Sequence, residues 1–130
     1  MPRMMPFSAT EAAFRAMEKD ITRRLGWADL EVGEEVWGVK QCMGLKKGEH
    51  VEKIHLIRIK EVGFEPLEFI HMRGPDEVRR EGFPQLARLG AGIEEFIQMF
   101  IQMHRVKGVK RGTPVNRIVF KYLDEEGCEL

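Results

Sequence analysis

Residues 18–27, EKDITRRLGW, bring a lysine, a threonine, two arginines and a tryptophan within ten positions. Lys19, Arg23 and Arg24 are cations suited to an anionic group, Thr22 offers a hydroxyl, and Trp27 offers a flat face on which a base can stack. Their spacing sets a condition on any joint chemistry. On a regular strand, side chains three apart such as Lys19 and Thr22 point to opposite faces, whereas at a helix end or turn they share a side. The same stretch also reads as a solvated connection, with Lys19 favourable at a helix C-terminus and Thr22 present for its strand propensity. Composition alone leaves both readings open.

Other catalytic centres find little support. His50, His55, His71 and His104 have no Cys or carboxylate at a usual ligand spacing, so no metal and no cofactor are expected. His104 reads as a core or rim histidine. There is no P-loop and no GxGxxG, and Ser8, the only serine, has nothing near it to make a triad. Met99 and Met103 read as core or groove filler, and Trp27 and Trp37 as plugs at the ends of a barrel or as stacking platforms.

With 130 residues, 43% apolar and 32% charged, the chain predicts one globular domain over 1–130, its core spanning about 7–123, with a short acidic tail at 124–130. No apolar run approaches the roughly 18 residues of a membrane span, and the first residues lack an apolar leader, so a cytoplasmic location is expected. Cys42 and Cys128 read as plain thiols. One serine, one asparagine and many Arg and Glu give a thermophile-like composition. A net charge of zero predicts no polyanion binding by itself. Arg105, Lys107, Lys110, Arg111, Arg117 and Lys121, however, follow one another without an intervening acid, as a basic face or as a solvated loop guarding a strand edge.

The elements that must position these groups follow from periodicity. SATEAAFRAMEK predicts a helix capped by Thr10 and ending near Lys19 or Asp20, with ITRRL as a strand and a turn at Gly26. A turn at Val32-Gly33-Glu34 leads into a strand carrying Val36, Trp37, Val39 and Cys42, and GLKKGEH connects it to the strand VEKIHLIRIKEV. GPDEVRREGF predicts a short helix, GIEEFIQMFIQMHR an amphipathic one, and VNRIVFKYL a closing strand. Strands do not alternate regularly with helices. The expected fold is therefore α+β, a small, mostly antiparallel β-barrel with flanking helices.

The order of KDITRR, LEVGEEVWGV, EVRREGF, EEFIQMF and VNRIVFKYL resembles that of the ASCH family, relatives of the PUA RNA-binding domain, over about Phe7 to Leu123. The resemblance implies a small β-barrel that binds RNA or a nucleotide. One branch of that family consists of amidohydrolases that remove the acetyl group from acetylated cytidine. That branch carries a Lys-x-x-Thr motif at the end of the first helix and a Glu on a later short helix. Lys19 and Thr22 fall on the first motif, Glu81 before Gly82-Phe83 on the second, and Arg24 on a basic position shortly after the threonine. Asp20 departs from the branch, as do the longer hairpin at Gly44 to His50 and the basic segment at Arg105 to Arg117.

The implied chemistry is physically coherent. A threonine hydroxyl attacks only when a base takes its proton, and a lysine serves as base only if burial or neighbouring cations lower its pKa. Arg23 and Arg24 are placed to exert that push, and Glu81 to protonate the leaving nitrogen or orient a water. Three functions are therefore expected to compete. The first is an RNA- or nucleotide-binding module with a cleft around Lys19, Thr22, Arg24 and Glu81, with Arg23, Trp27, Lys107, Lys110 and Arg111 as further contacts. The second is an amidohydrolase acting on an acylated cytidine nucleoside with Lys19, Thr22 and Glu81. The third is a protein-interaction domain using the helix face at Ile97 to Met103.

Overall fold

The computed structural model describes residues 2–87 and 92–130. Five strands form one mixed sheet: β1 (Arg3–Pro6), β2 (Ile21–Arg24), β3 (Glu35–Val39), β4 (Lys53–Pro66) and β5 (Pro114–Tyr122). Their order across the sheet is β1-β3-β4-β5-β2. The helices are α1 (Glu11–Arg15), α2 (Ile70–Arg73), α3 (Asp76–Arg80), α4 (Pro84–Ala87) and α5 (Gly92–Met103). No helix among the described residues is long and apolar enough to cross a membrane.

The closed, mostly antiparallel barrel expected from the sequence is not what forms. The sheet curls into a half-barrel, and β1 pairs with β3 in parallel, Met4 opposite Trp37. β1 and β2 are the two edges, and no ladder joins them. A side chain spans part of the gap instead, since Arg24 Nη2 on β2 donates to the Pro6 carbonyl of β1 at 2.6 Å. A closed ladder would have filled this opening with backbone; the half-barrel leaves room for side chains there.

β4 is long enough to serve two partners. Lys53 to Arg58 pair with β3, and from Ile57 to Pro66 the strand runs along β5 on its other side, with a register shift between Ile59 and Glu61 and Val62 opposite Ile118. Val115 to Phe120 of β5 are buried without the expected alternation, because one face of the strand looks into the half-barrel and the other meets helices. Two apolar clusters result. Met5, Phe7, Phe14, Ile57, Ile59 and Phe120 fill the curl of the sheet. Leu67, Ile70, Val78, Phe96, Ile97 and Val115 pack α2, α3 and α5 against the ends of β4 and β5.

Gly38 of β3 is required by packing. A Cβ there would lie 2.0 Å from Cζ of Phe14. Phe14 has nowhere to go, being fully buried and stacked on Phe7 with ring centroids 4.0 Å apart. Gly38→Ala is expected to destabilise the domain by about 1–3 kcal/mol through overpacking, read as a lower urea midpoint at unchanged slope.

The helix expected to reach Lys19 stops at Arg15. Met17 adopts φ 58°, the left-handed turn that ends a helix, and Glu18 N–H returns to the Ala13 carbonyl at 2.9 Å. Residues 18–20 form an irregular link into β2. They are held on both sides: the Tyr122 hydroxyl donates to the Lys19 carbonyl, and Asp20 N–H donates to the Arg80 carbonyl at 3.0 Å.

Candidate functional site

Lys19, in the irregular link between α1 and β2, and Thr22 of β2 reach the same place. Together with Arg24, Glu81, Phe7 and Trp27, they line a cavity of about 260 Å³ in the gap between the end of β1 and the edge strand β2. Thr22 and Arg24 are two apart on β2 and share a face, and Arg24 Nε donates to Thr22 Oγ1 at 3.0 Å. Glu81 arrives from the C-terminal end of α3, where Gly82 turns at φ 101° and a Cβ would crowd Thr10 and Lys19. The far wall is apolar: Phe83, Phe96, Met99, Phe100 and Met103. Lys107 and His104 complete the lining from the turn that follows α5.

Trp27 is held in a strained backbone, with φ 65°, a region a tryptophan occupies at a cost of order 1 kcal/mol. Asn116 Nδ2 donates to the Gly26 carbonyl beside it, and the Arg3 guanidinium covers the indole at 5.0 Å. The strain is thus imposed by neighbours, and its product is an indole lining the cavity.

The electrostatics are those of a cationic, water-poor site. Lys19 is 3% exposed, and burial, opposed by Glu81 and assisted by Arg24 and Arg23, lowers its ammonium to about 8. Its Nζ donates to the Glu81 carbonyl and lies 3.8 Å from Glu81 Oε1. Arg24 is lowered by burial to about 10 and stays charged at neutral pH, its guanidinium 4.8 Å from the centre of the Phe7 ring. Burial, then Lys107 and Arg24, hold His104 below its ordinary value, so it is neutral there at pH 7.

Behind the cavity lies an ion network that sequence reasoning missed. Arg23 points away from Thr22 and Arg24, towards α3, and directly opposes Arg117 across the β2–β5 ladder. Two like charges so placed repel unless neutralised. Glu77 does this: it takes both Nε and Nη2 of Arg117, at 3.0 and 2.8 Å, and Nη2 of Arg23 at 2.7 Å. Arg23 Nη1 then donates to Glu81 Oε2 at 2.7 Å. Both ends of Arg23 are thus committed to carboxylates rather than presented to a ligand. Glu77 and Glu81 stand four apart on one face of α3, the one trace of the network in the sequence.

Burial alone would raise the Glu77 carboxyl, but the hydrogen bonds from Arg117 and Arg23 overcome it and bring the group to about 2. Its folded value lies below the ordinary 4.5, so this stabilisation is present above about pH 4.5 and is lost as pH falls from there towards 2. Acid titration of the unfolding free energy is expected to show a loss of up to about 3 kcal/mol over that interval, and Glu77→Gln to flatten it.

The basic run at Arg105 to Lys121 does not form one face. Arg117 is buried against Glu77, and Arg111 is paired with Glu94 at 2.7 Å, away from the cavity. Lys110 is exposed and does not line the cavity, whereas Lys107 does. Of the residues singled out in the sequence, Lys19, Thr22, Arg23, Arg24, Trp27, Glu81 and Lys107 come together around the cavity, and Lys110 and Arg111 do not. Phe7, Ser8 and Thr10 line it without any signal in the sequence beyond lying next to α1. Among the described residues, no three His, Cys, Asp or Glu side chains are grouped to hold a metal ion.

No family model and no curated protein matches the chain. Its structure is similar to the crystal structure of protein EF3133 from Enterococcus faecalis V583, described under the family DUF984, with a TM-score of 0.60 and 13% identity, covering 95% of this chain and 77% of that one. At this identity the likeness establishes a shared small-domain fold and nothing about activity.

Proposed function

We propose that the cavity between β1 and β2 binds a nucleotide, free or as a base of an RNA strand, in an ASCH-like domain. The observation that carries this reading is the meeting of Lys19, Thr22, Arg24 and Glu81, from segments some 60 residues apart, in one cavity with an indole and a sulfur-rich apolar wall. A base has a π-face for Trp27 or Phe100 and polar edges for Thr22 and Glu81, and Arg24 and Lys107 suit a phosphate. The exposed Arg105 and Lys110 beside Lys107 add charge for a longer strand.

A second reading, hydrolysis of an acyl group from a modified cytidine, is favoured by one observation. Lys19 is lowered to about 8, which makes it a usable base at mildly alkaline pH. In the free protein the Thr22 hydroxyl accepts from Arg24, so attack would need Lys19 Nζ to leave the Glu81 carbonyl and reach Thr22 when substrate enters.

The two readings differ in sign with pH. Phosphate binding weakens as Lys19 loses its charge above about 8, whereas hydrolysis with Lys19 as base rises across the same interval. Calorimetric titration with cytidine 5′-monophosphate and with a short single-stranded RNA, at several salt concentrations, tests the first. Binding to RNA should weaken with a linear log–log salt dependence. Chromatography of acetylated cytidine after incubation with wild type and Thr22→Ala tests the second. If neither nucleotide nor RNA binds and no acetyl group is lost, the cavity is not a nucleotide site.

A further inference from the structure

We propose that Glu77 and Arg117, neither of which lines the cavity, position the Glu81 carboxylate against Lys19 through the Arg23 guanidinium. The inference deepens the reading of the cavity as a ligand site and rests on it for its functional consequence. The geometry is a continuous chain. Arg117 grips Glu77 with two nitrogens, Glu77 Oε2 holds Arg23 Nη2 at 2.7 Å, and Arg23 Nη1 holds Glu81 Oε2 at 2.7 Å. Glu81 Oε1 is then left facing Lys19 Nζ at 3.8 Å.

Arg23 is a rigid planar fork with a fully buried side chain. Its Nε has no hydrogen-bond partner among the described residues, so the two terminal nitrogens alone set its orientation. What Glu77 does to one end of the fork is felt at the other. Weakening Glu77 leaves Arg23 to draw on Glu81 more strongly, with Glu65 at 3.8 Å as the remaining acid near it. Glu81 then does less for Lys19. Removing Arg117 has the opposite sense: Glu77, relieved of a partner, takes more of Arg23, and Glu81 turns towards Lys19. The groups acting on Lys19 are Glu81, Arg24, Arg23 and Asp20, and Asp20 is itself tied to Arg80 at 2.9 Å. Arg80 also lies 3.6 Å from Glu77 and so links it to Asp20, but the direct path, through hydrogen bonds of 2.7 Å, runs through Arg23 and Glu81.

The test reads Lys19 directly and needs no ligand. Lysine is labelled with ¹³C at Cε, the Lys19 resonance is assigned with Lys19→Arg, and its titration is followed in wild type, Glu77→Gln and Arg117→Met. Glu77→Gln is expected to lower the Lys19 midpoint by about half a unit or more and Arg117→Met to raise it. Unchanged midpoints in variants that remain folded, or shifts of the same sign, would reduce Glu77 and Arg117 to a purely structural role and overturn the proposal. Should Glu77→Gln not fold, the direction in Arg117→Met decides alone. Failure of cytidine 5′-monophosphate to bind wild type would reject the cavity's proposed function while leaving this linkage standing.

Discussion

Glu77→Ala is expected to destabilise the domain by about 3–5 kcal/mol, the largest loss foreseen for a single polar substitution. Removing the carboxylate leaves Arg23 and Arg117 facing each other across a ladder, both charged and both buried, with no shared anion between them. The Coulombic gain of the pair network is not the point, since burying ions is itself costly; the damage comes from leaving cations buried without their partner. Glu77→Gln keeps an acceptor for one guanidinium but not the charge, and should lose about 3 kcal/mol, as protonation of Glu77 does. Urea unfolding at pH 7 of wild type and the two variants measures this, and equal stabilities would mean that water, not Glu77, compensates the arginines.

Lys19→Met is expected to separate function from stability. Holding the ammonium charged at pH 7 in a site where its value is lowered to about 8 from 10.5 costs the folded state up to about 3 kcal/mol. Methionine fills a similar volume beside the Phe7 ring without that cost, and Glu81 retains Arg23 as its partner. The variant should therefore unfold at a higher temperature than wild type while binding a nucleoside monophosphate at least about tenfold more weakly. The sign with pH follows from the same shift. Unfolded Lys19 holds its proton between about 8 and 10.5 and the folded form does not, so wild-type stability rises with pH there and the advantage of the variant shrinks. A Lys19→Met protein that is both less stable and equally good at binding would place Lys19 in the scaffold and out of the site.

Much of this arrangement was legible in the residues, and its limits have physical causes. β4, β5 and α5 carry strong periodic signals; β5 and α5 form where periodicity places them to within two residues, and β4 continues four residues past Val62 to Pro66. β1 gave none: PRMMP has prolines at both ends and no alternation, and it is a strand only because β3 offers it an edge. Without β1 the sheet reads as an antiparallel barrel; with it, the sheet is mixed and stays open. α1 looked longer because Ala16 to Lys19 suit a helix, yet Met17 accepts a left-handed turn that tertiary contacts at residues 18–20 enforce.

The candidate site divides in the same way. Lys19, Thr22 and Arg24 were visible because they are neighbours in the chain, and Glu81 through the resemblance of its motif. Arg23 and Arg117 read as solvated or ligand-facing charges, since nothing local announces that two strands will set them opposite each other over Glu77. Arg111 was drawn from the same basic run and is spent on Glu94. A run of like charges in sequence is a statement about composition; which of its members meet an acid is decided by the fold.

The most direct measurement of the central claim is an amide chemical-shift titration of the protein with cytidine 5′-monophosphate at pH 7. Saturable shifts are expected at Thr22 to Trp27, at Glu81 and Gly82, and at Met99 to His104, and are expected to be lost in Lys19→Met. Shifts that do not saturate, or that saturate on a surface away from the gap between β1 and β2, would contradict that claim.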